Sequence, residues 1–497
     1  MKSAAHGILF GAVGASALAG CMVGPNFRPP PPPSVDHYLP APLPAETMPG
    51  RADPAQRFAV GAAVTSRWWT LFGSPRLDAL EDEALKANPD LRSAEAALRQ
   101  AREVYLAQRA TLLPTAQLAA NATRAKNSAT IAPPLSSNAE TYSLYNLQLN
   151  VSYVVDVFGG ERRQTESVAA QAENQKFLTE AVYLTLTANV ANAAVQLANL
   201  DTQMDDTRRI IDADARTLDI TRAQRRLGEA STVDEAAAET ALEQAEQLAP
   251  PLQKQIDQER DLLAALVGRS PSEAPADRFE VADFQLPPEL PVSLPANLVR
   301  QRPDVRAAEA NVHVASAQVG VAAAARLPSF VLTGSLGGAS SDVASLFSNG
   351  NTLWSVTGAA AQTVFDAGAL RHKQKAAEAA LDQAKTQYRS AVLGALQNTA
   401  DVLQAIIDDA ETLKHAASAE AATARSLRLS QAQFEHGQVG ALSVLANEAA
   451  DRQASFALSQ ARAARYVDTI ALYQALGGGW TDREAAVAKP AAGWGSE

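Results

Sequence analysis

Residues 160 to 227 contain no proline and, after Gly160, no glycine until Gly228. Through the middle of that stretch large apolar side chains return every seventh position, at Tyr183, Val190, Leu197, Met204, Ile211 and Leu218, the interval that keeps one seam of a helix against a partner. The spacing predicts one continuous helix from Gly160 to about Leu227, which at about 1.5 Å per residue reaches roughly 100 Å. A second rod of similar character runs from about Ala369 to His436. A chain built on two such rods is not a string of ordinary domains, although its 497 residues would suffice for several.

Proline placement permits helix over most of the chain. Of 27 prolines, 11 lie between Pro25 and Pro54, and none falls within residues 135–249 or 329–489. Aromatic residues make up only 5%, and alanine dominates the long segments, which suits helices packed closely side by side with one face wet. The net charge of −11 argues against nucleic acid, which selects basic surfaces, and fits an acidic aqueous passage.

The single cysteine, Cys21, excludes an internal disulfide and any multi-cysteine metal site. Ahead of it stand Lys2, an apolar run from Ile8 to Leu18 and the small residues Ala19-Gly20, the pattern of an export signal ending in a lipobox. The run is too short to span a bilayer as a helix. Cys21 is therefore expected to become the first mature residue and to carry a covalent lipid, with no other cofactor. Met22 follows it, where Asp often retains bacterial lipoproteins in the inner membrane, so the outer membrane is expected. Residues 22–54, with five consecutive prolines at Pro29 to Pro33, read as an extended tether, and Trp68-Trp69-Thr70-Leu71-Phe72 as an aromatic cluster buried against helices.

The chain is an internal duplication. Asn88-Pro89-Asp90-Leu91-Arg92 through Leu113-Pro114 matches Arg302-Pro303-Asp304-Val305-Arg306 through Leu327-Pro328, 214 positions on, with Glu95 answering Glu309. Val157-Phe158 answers Val364-Phe365, Gly228 answers Gly437, and Ala265-Leu266-Val267-Gly268 answers Ala475-Leu476-Gly477-Gly478. Each half reads short helix, two strands, long helix, turn, return helix. From Leu144 to Tyr153 the period falls to two: Tyr145, Leu147, Leu149, Val151 and Tyr153 oppose Leu144, Asn146, Gln148, Asn150 and Ser152. That alternation suits a strand between lipid and water, the other reading being a strand of a soluble sandwich. Thr115 to Arg124, Pro328 to Leu336 and Thr352 to Ala361 are weaker companions. Four strands cannot close a barrel, and open sheet edges are not tolerated in hydrocarbon, so closure needs several copies. Three give 12 strands.

Both rods stop at glycine, Leu227-Gly228 and His436-Gly437, where a helix end takes a left-handed residue. Each is thus one arm of a hairpin. Pro250-Pro251 is expected to kink the first return helix, with no counterpart in the second. No phosphate-binding glycine loop, His-Glu-x-x-His or Gly-x-Ser-x-Gly occurs, and the six histidines are scattered. His372, His415 and His436 read as solvated helix residues, and no enzyme is expected.

These features resemble the outer-membrane efflux protein family, the TolC-type outer-membrane factors of tripartite pumps, in its lipoprotein branch. The carriers are Leu18-Ala19-Gly20-Cys21 with Gly24-Pro25, Trp68-Trp69, Asn88-Pro89-Asp90-Leu91, Asp156-Val157-Phe158-Gly159, Leu298-Val299-Arg300-Gln301-Arg302-Pro303-Asp304-Val305, Phe365-Asp366-Ala367-Gly368 and Ala475-Leu476-Gly477. The resemblance implies a mainly α fold with a membrane β-barrel: a homotrimer with a 12-stranded barrel in the outer membrane, continued by a 12-helix periplasmic α-barrel. It also implies a periplasmic adaptor and an inner-membrane, proton-driven pump as partners. In that family acidic residues six positions past the tip glycine line a constriction. Asp234 matches that position in the first half, whereas the second has Ser443, so a trimer would present three carboxylates there instead of six. Glu235, Glu239, Glu448 and Asp451 are further gate candidates, and Gly228, Gly437, Leu227 and Leu442 candidate adaptor contacts at the tips.

The expected organisation is a signal peptide over 1–20, a lipid-anchored tether over 21–62, a first repeat over 63–270, a linker over 271–297, a second repeat over 298–480 and a tail over 481–497. The expected function is a passive exit duct for small molecules, drugs, toxic organics or metal ions. Two alternatives stand: the outlet of a type I protein secretion system, and a lipid-anchored periplasmic coiled-coil scaffold without a pore.

Overall fold

The computed structural model describes residues 22–50, 54–128, 130, 140–275 and 278–480. The export signal 1–20, Cys21 and the tail 481–497 lie outside them, as does most of the loop expected between the first two sheet strands. In chain order the elements are β1 (Arg57–Val60), α1 (Pro75–Ala87), α2 (Pro89–Ala110), β2 (Thr115–Lys126), β3 (Thr141–Val155), α3 (Gly160–Leu227), α4 (Thr232–Leu266), β4 (Glu289–Val292), α5 (Pro295–Gln301), α6 (Pro303–Ala324), β5 (Ser329–Ser340), β6 (Thr352–Ala361), α7 (Ala369–Glu435) and α8 (Ala441–Ala475). They fall into two compact units. Of the described residues, one comprises those through Pro30, Ala97–Lys176 and Ala307–Arg389, and the other those of Pro31–Ala96, Phe177–Arg306 and from Ser390 to 480.

The rods form as their sequence predicts, α3 with 68 residues and α7 with 67, and all the heptad side chains of α3 except Ile211 are buried. One stretch of α3 is apolar enough to cross a membrane by composition, but 67% of it is buried in the fold. Both rods start on the same device. Asp156 accepts the backbone N–H groups of Glu161 at 3.2 Å and Arg162 at 2.9 Å, and Asp366 those of Gly368 at 2.8 Å and Leu370 at 2.7 Å. The aspartates of Asp156-Val157-Phe158-Gly159 and Phe365-Asp366-Ala367-Gly368 are thus helix caps. Gly159 and Gly368 make the left-handed turn before each rod, at φ 78° and 87°.

The duplication has two offsets. The α2 and α6 helices, each 22 residues long, keep the shift of 214 positions. From the rods onward the shift is 209: Gly160 and Ala369 begin them, Thr232 and Ala441 begin the return helices, and Leu266 and Ala475 end those. Structurally Gly268 answers Gly477, one position off the match read from sequence. A side chain at Gly268 would strike the Ala87 carbonyl oxygen at 2.7 Å, and one at Gly477 that of Gln301 at 2.2 Å. In each repeat the polar residue before the proline of α2 or α6 then closes the contact: Asn88 donates to the Leu266 carbonyl, Arg302 to that of Ala475, both at 3.0 Å. The α4 helix runs unbroken through Pro250 and Pro251, with 35 residues like its counterpart α8.

In the second unit the aromatic cluster is core. Trp68, Trp69 and Phe72 have no exposed surface; Trp68 stacks on Tyr473 with centroids 5.4 Å apart, and Trp69 meets Tyr183 at 6.4 Å. Sequence reasoning missed the sheet of β1 and β4, a parallel pair with Arg57 against Glu289 and Val60 against Val292. It ties the tether to the linker, and Tyr38 adds a hydrogen bond to the Ser293 carbonyl at 2.8 Å.

Candidate functional site

In the first unit β2, β3, β5 and β6 form one antiparallel sheet in that order. Paired residues of an antiparallel ladder share a face, so the register writes out both faces in rows. One face carries Ala116–Val151–Gly334–Val356 and Leu118–Leu149–Leu336–Trp354. The other carries Thr115–Ser152–Thr333–Thr357 and Gln117–Asn150–Ser335–Ser355, with the hydroxyls of Ser335 and Ser355 2.8 Å apart. A sandwich strand would bury its apolar side. Here Leu118 is 68% and Trp354 75% exposed, so among the described residues no second layer covers these apolar rows. On β3 that face runs from Tyr145 to Val155, about 33 Å along the strand; at a tilt of about 40° this covers about 25 Å, the height of an outer-membrane barrel's apolar band. Among the described residues the outer edges of β2 and β6 are unpaired.

The second unit contains the hairpin tips. Gly228 and Gly437 adopt φ of 80° and 69°. Each donates three residues back, to Arg225 and Phe434, while Glu229 and Gln438 donate five back, to Gln224 and Gln433, the paired bonds of a Schellman stop. Beyond the stops the hairpins differ. Ser231 caps α4 in a reciprocal box, its hydroxyl accepting the Asp234 N–H at 3.2 Å while Asp234 accepts the Ser231 N–H at 2.8 Å. The Ser231 hydroxyl, donating to Asp234 Oδ2 at 2.7 Å, and then the Ser231 N–H hold the exposed Asp234 carboxyl below the usual carboxylate range. The α8 helix begins at Gly440 with no side-chain cap, and Ser443 donates only its backbone N–H to the Gly440 carbonyl, at 3.0 Å. Glu235 pairs with Arg222 and Arg225 of its own hairpin. Leu227, Val233 and Leu442 project with more than half of their surface exposed.

Comparison with known proteins decides what this arrangement belongs to. The sequence matches the outer membrane efflux protein family over residues 80–269 and 294–478. The chain belongs to that family. It is similar to the pyoverdine export outer membrane protein OpmQ of Pseudomonas putida, 31% identical over 83% of this chain and 88% of that protein. It also resembles the toluene efflux pump outer membrane protein TtgF of the same species, at 28% over 93% and 95%. Its fold matches the solved outer-membrane channel OprN with a TM-score of 0.82 and 27% identity, covering 93% of this chain and all of that one. The efflux protein is thus an outer-membrane channel component of an efflux system, extending into the periplasm, and its sheet is the membrane-spanning part.

Cys21, the expected lipid site of the efflux protein, lies outside the described residues, but the segment after it is held by a clamp that sequence did not reveal. Arg163, whose side chain is 1% exposed, donates to the Val23 carbonyl at 3.1 Å, the Gly24 carbonyl at 3.3 Å, Asn26 Oδ1 at 2.7 Å and Glu166 at 2.7 Å. Glu166 also meets His313 Nε2 at 2.9 Å, and the His313 ring stacks on Phe27 at 4.2 Å. A side chain at Gly24, φ 88°, would strike Gly320 Cα at 2.4 Å, so the strap fits only as glycine. Of the gate candidates, Asp234, Glu235 and Ser443 sit on the first turns of the return helices, while Glu448 is buried at 7% exposure beside Asp214 of α3, itself 2% exposed. The pairing of those two acids was not foreseen.

Proposed function

We propose that three copies of the chain join the free edges of β2 and β6 into one closed 12-stranded tube, polar rows inward, which conducts small molecules to the cell exterior. The observation that carries this is the sheet itself, apolar on one face, polar on the other and unpaired at both edges, since lipid tolerates strands only in closed barrels. The α3–α4 and α7–α8 hairpins of three copies supply the 12 helices of the periplasmic tunnel. Their exposed tip residues, Leu227, Gly228, Gly437 and Leu442, meet a periplasmic adaptor that links the duct to a proton-driven inner-membrane pump. The efflux protein performs no reaction of its own. Asp234 is its gate acid, with Glu235 and Glu448 set aside by their partners within the chain. The cargo is a small molecule or metal ion rather than a secreted protein, in keeping with relatives named for pyoverdine and toluene.

An acyl group on Cys21 fits the strap. Val23 donates its N–H to the Phe158 carbonyl at 3.1 Å, and Met22 packs against Gly159, so the first described residues of the strap stand just beyond the end of β3, where lipid would begin. The test is labelling of intact cells with a membrane-impermeant maleimide. Ser128→Cys and Ser348→Cys, in the loops joining β2 to β3 and β5 to β6, label without permeabilisation, whereas Glu229→Cys at the first tip labels only after it. Loops that stay silent on intact cells would overturn the duct in favour of the scaffold.

A further inference from the structure

Along the seam where α3 lies antiparallel to α8, polar contacts replace apolar ones. Asn199 Oδ1 accepts the Ser459 hydroxyl at 2.6 Å, and Asp206 Oδ2 accepts that of Ser455 at 2.7 Å. Next toward the tips come Asp214 and Glu448. Asp214 lies three residues past Ile211, in the second core position of the α3 heptad, which Leu186 and Ala193 fill further back and Thr207 and Thr221 fill on either side. The threonine hydroxyls satisfy themselves on their own helix, donating to the carbonyls four residues back at 2.8 Å. A carboxylate has no such recourse, and a buried charge without a partner is costly.

No cation is bonded to either acid of this pair among the described residues. Among the described residues neither Asp214 nor Glu448 forms an ion pair, and Glu448 Oε2 has no N–H or hydroxyl donor; Gln431 reaches only the other oxygen, at 3.5 Å. Glu448 and Arg452 stand in the wall between two cavities of about 520 and 260 Å³. The charged groups facing the pair are Asp206 and Arg209 of α3, Glu420 of α7, and Asp451 and Arg452 of α8; α4 presents none. Asp206 pairs with Arg209, and Asp451 accepts the Thr423 hydroxyl at 3.0 Å. Arg452 attracts Glu448 only at longer range. Two buried carboxyls that line one cavity, with no ion pair to either, can approach each other only by sharing a hydrogen.

We propose that one proton shared by Asp214 and Glu448 latches the second hairpin to the first near the tips, and that its loss makes α8 part from α3. This adds a control to the duct proposed above, and its structural test stands without conduction. The sign follows from burial, the larger cause, and then from the hydrogen bond to Asp214, which together push the Glu448 carboxyl up to about 8. An acid raised in the folded state binds its proton more tightly there than unfolded. Its favourable contribution is full below the ordinary glutamate range and is lost as pH climbs through about 8. Two carboxylates then face each other with Arg452 acting only from beyond ion-pair reach. The Asp409–Asp468 pair, whose Asp409 is pushed up to about 7 by burial first, joins α7 to α8 within one hairpin and cannot part the two.

The test uses the full-length lipidated protein in lipid, with nitroxide labels at Asp212→Cys on α3 and Ala450→Cys on α8, labelled chains being diluted into unlabelled ones. Dipolar spectroscopy should show one short distance at pH 6 and a longer population by pH 9.5, with a midpoint near pH 8. Glu448→Gln, which donates to Asp214 without a titratable proton, should abolish the shift and keep the short distance throughout. A wild-type distance that does not change with pH, or a Glu448→Gln chain that opens like wild type, overturns the latch. Bilayer recordings run in parallel separate the two readings: a chain that moves with pH but conducts at no pH sustains the latch and defeats the duct.

Discussion

Asp234 accepts both the backbone N–H and the hydroxyl of Ser231, so its charge is fixed at a helix N-terminus, where the macrodipole also favours an anion. Being exposed and held ionised, it would present three carboxylates in the threefold tube proposed above. Asp234→Asn keeps an acceptor for the cap and removes the charge. Conductance block by a trivalent cation from the periplasmic side should then weaken several-fold; equal block with and without the substitution would remove Asp234 from the gate. A sequence reading finds this residue because a glycine six positions earlier marks it. It could not find Arg163, whose partners Gly24 and Asn26 lie 139 and 137 positions away, nor join Asp214 to Glu448, because nothing local to either residue points at the other.

The hairpins show how far periodicity reaches. Seven-residue repeats and stop glycines fixed the rods to within a residue or two, because a helix writes its packing into its own sequence. The strands came out less sharply: β3 extends beyond its alternating stretch, and β2 and β5 carry alanine and glycine where alternation would show large apolar groups. The β1–β4 pair was invisible, with four residues per strand and Pro291 in the middle of β4; proline is tolerated there because β4 pairs on one side only. The tips also carry an energetic inequality, since α4 begins with a capping box and α8 without one. Installing it with Gly440→Ser and Ser443→Asp should stabilise the first turn of α8 by about 0.5 kcal/mol. Slower amide exchange over 440–447 would register the gain, and unchanged exchange would show that packing, not capping, sets the order of that turn.

At the scale of the whole molecule the sheet decides the habitat. No single chain can satisfy both of its faces and both of its edges, and for that reason the membrane was legible from residues that never touch one another in sequence. The alternation was legible, and so was the offset change from 214 to 209 in the match of Gly228 to Gly437; what sequence matching misplaced was the partner of Gly268, because consecutive glycines follow Leu476. The faces give a paired expectation. Leu336→Arg, in the apolar row with Leu149 and Trp354, should cost about 2–4 kcal/mol at mid-membrane depth and sharply lower the heat-resistant oligomer recovered from outer membranes. Ser335→Arg, one residue away on the polar face, should leave the yield near wild type. Equal yields from both would mean that the two faces do not divide lipid from water.

The unpaired margins of β2 and β6 also have a genetic consequence. In the proposed tube each copy's ladder is completed by another's, so a proline in either margin strand would damage the neighbour's hydrogen bonding along with its own. Alleles of that kind would poison assemblies shared with healthy gene product and behave as dominant, while lesions confined to the interior of one subunit would be complemented.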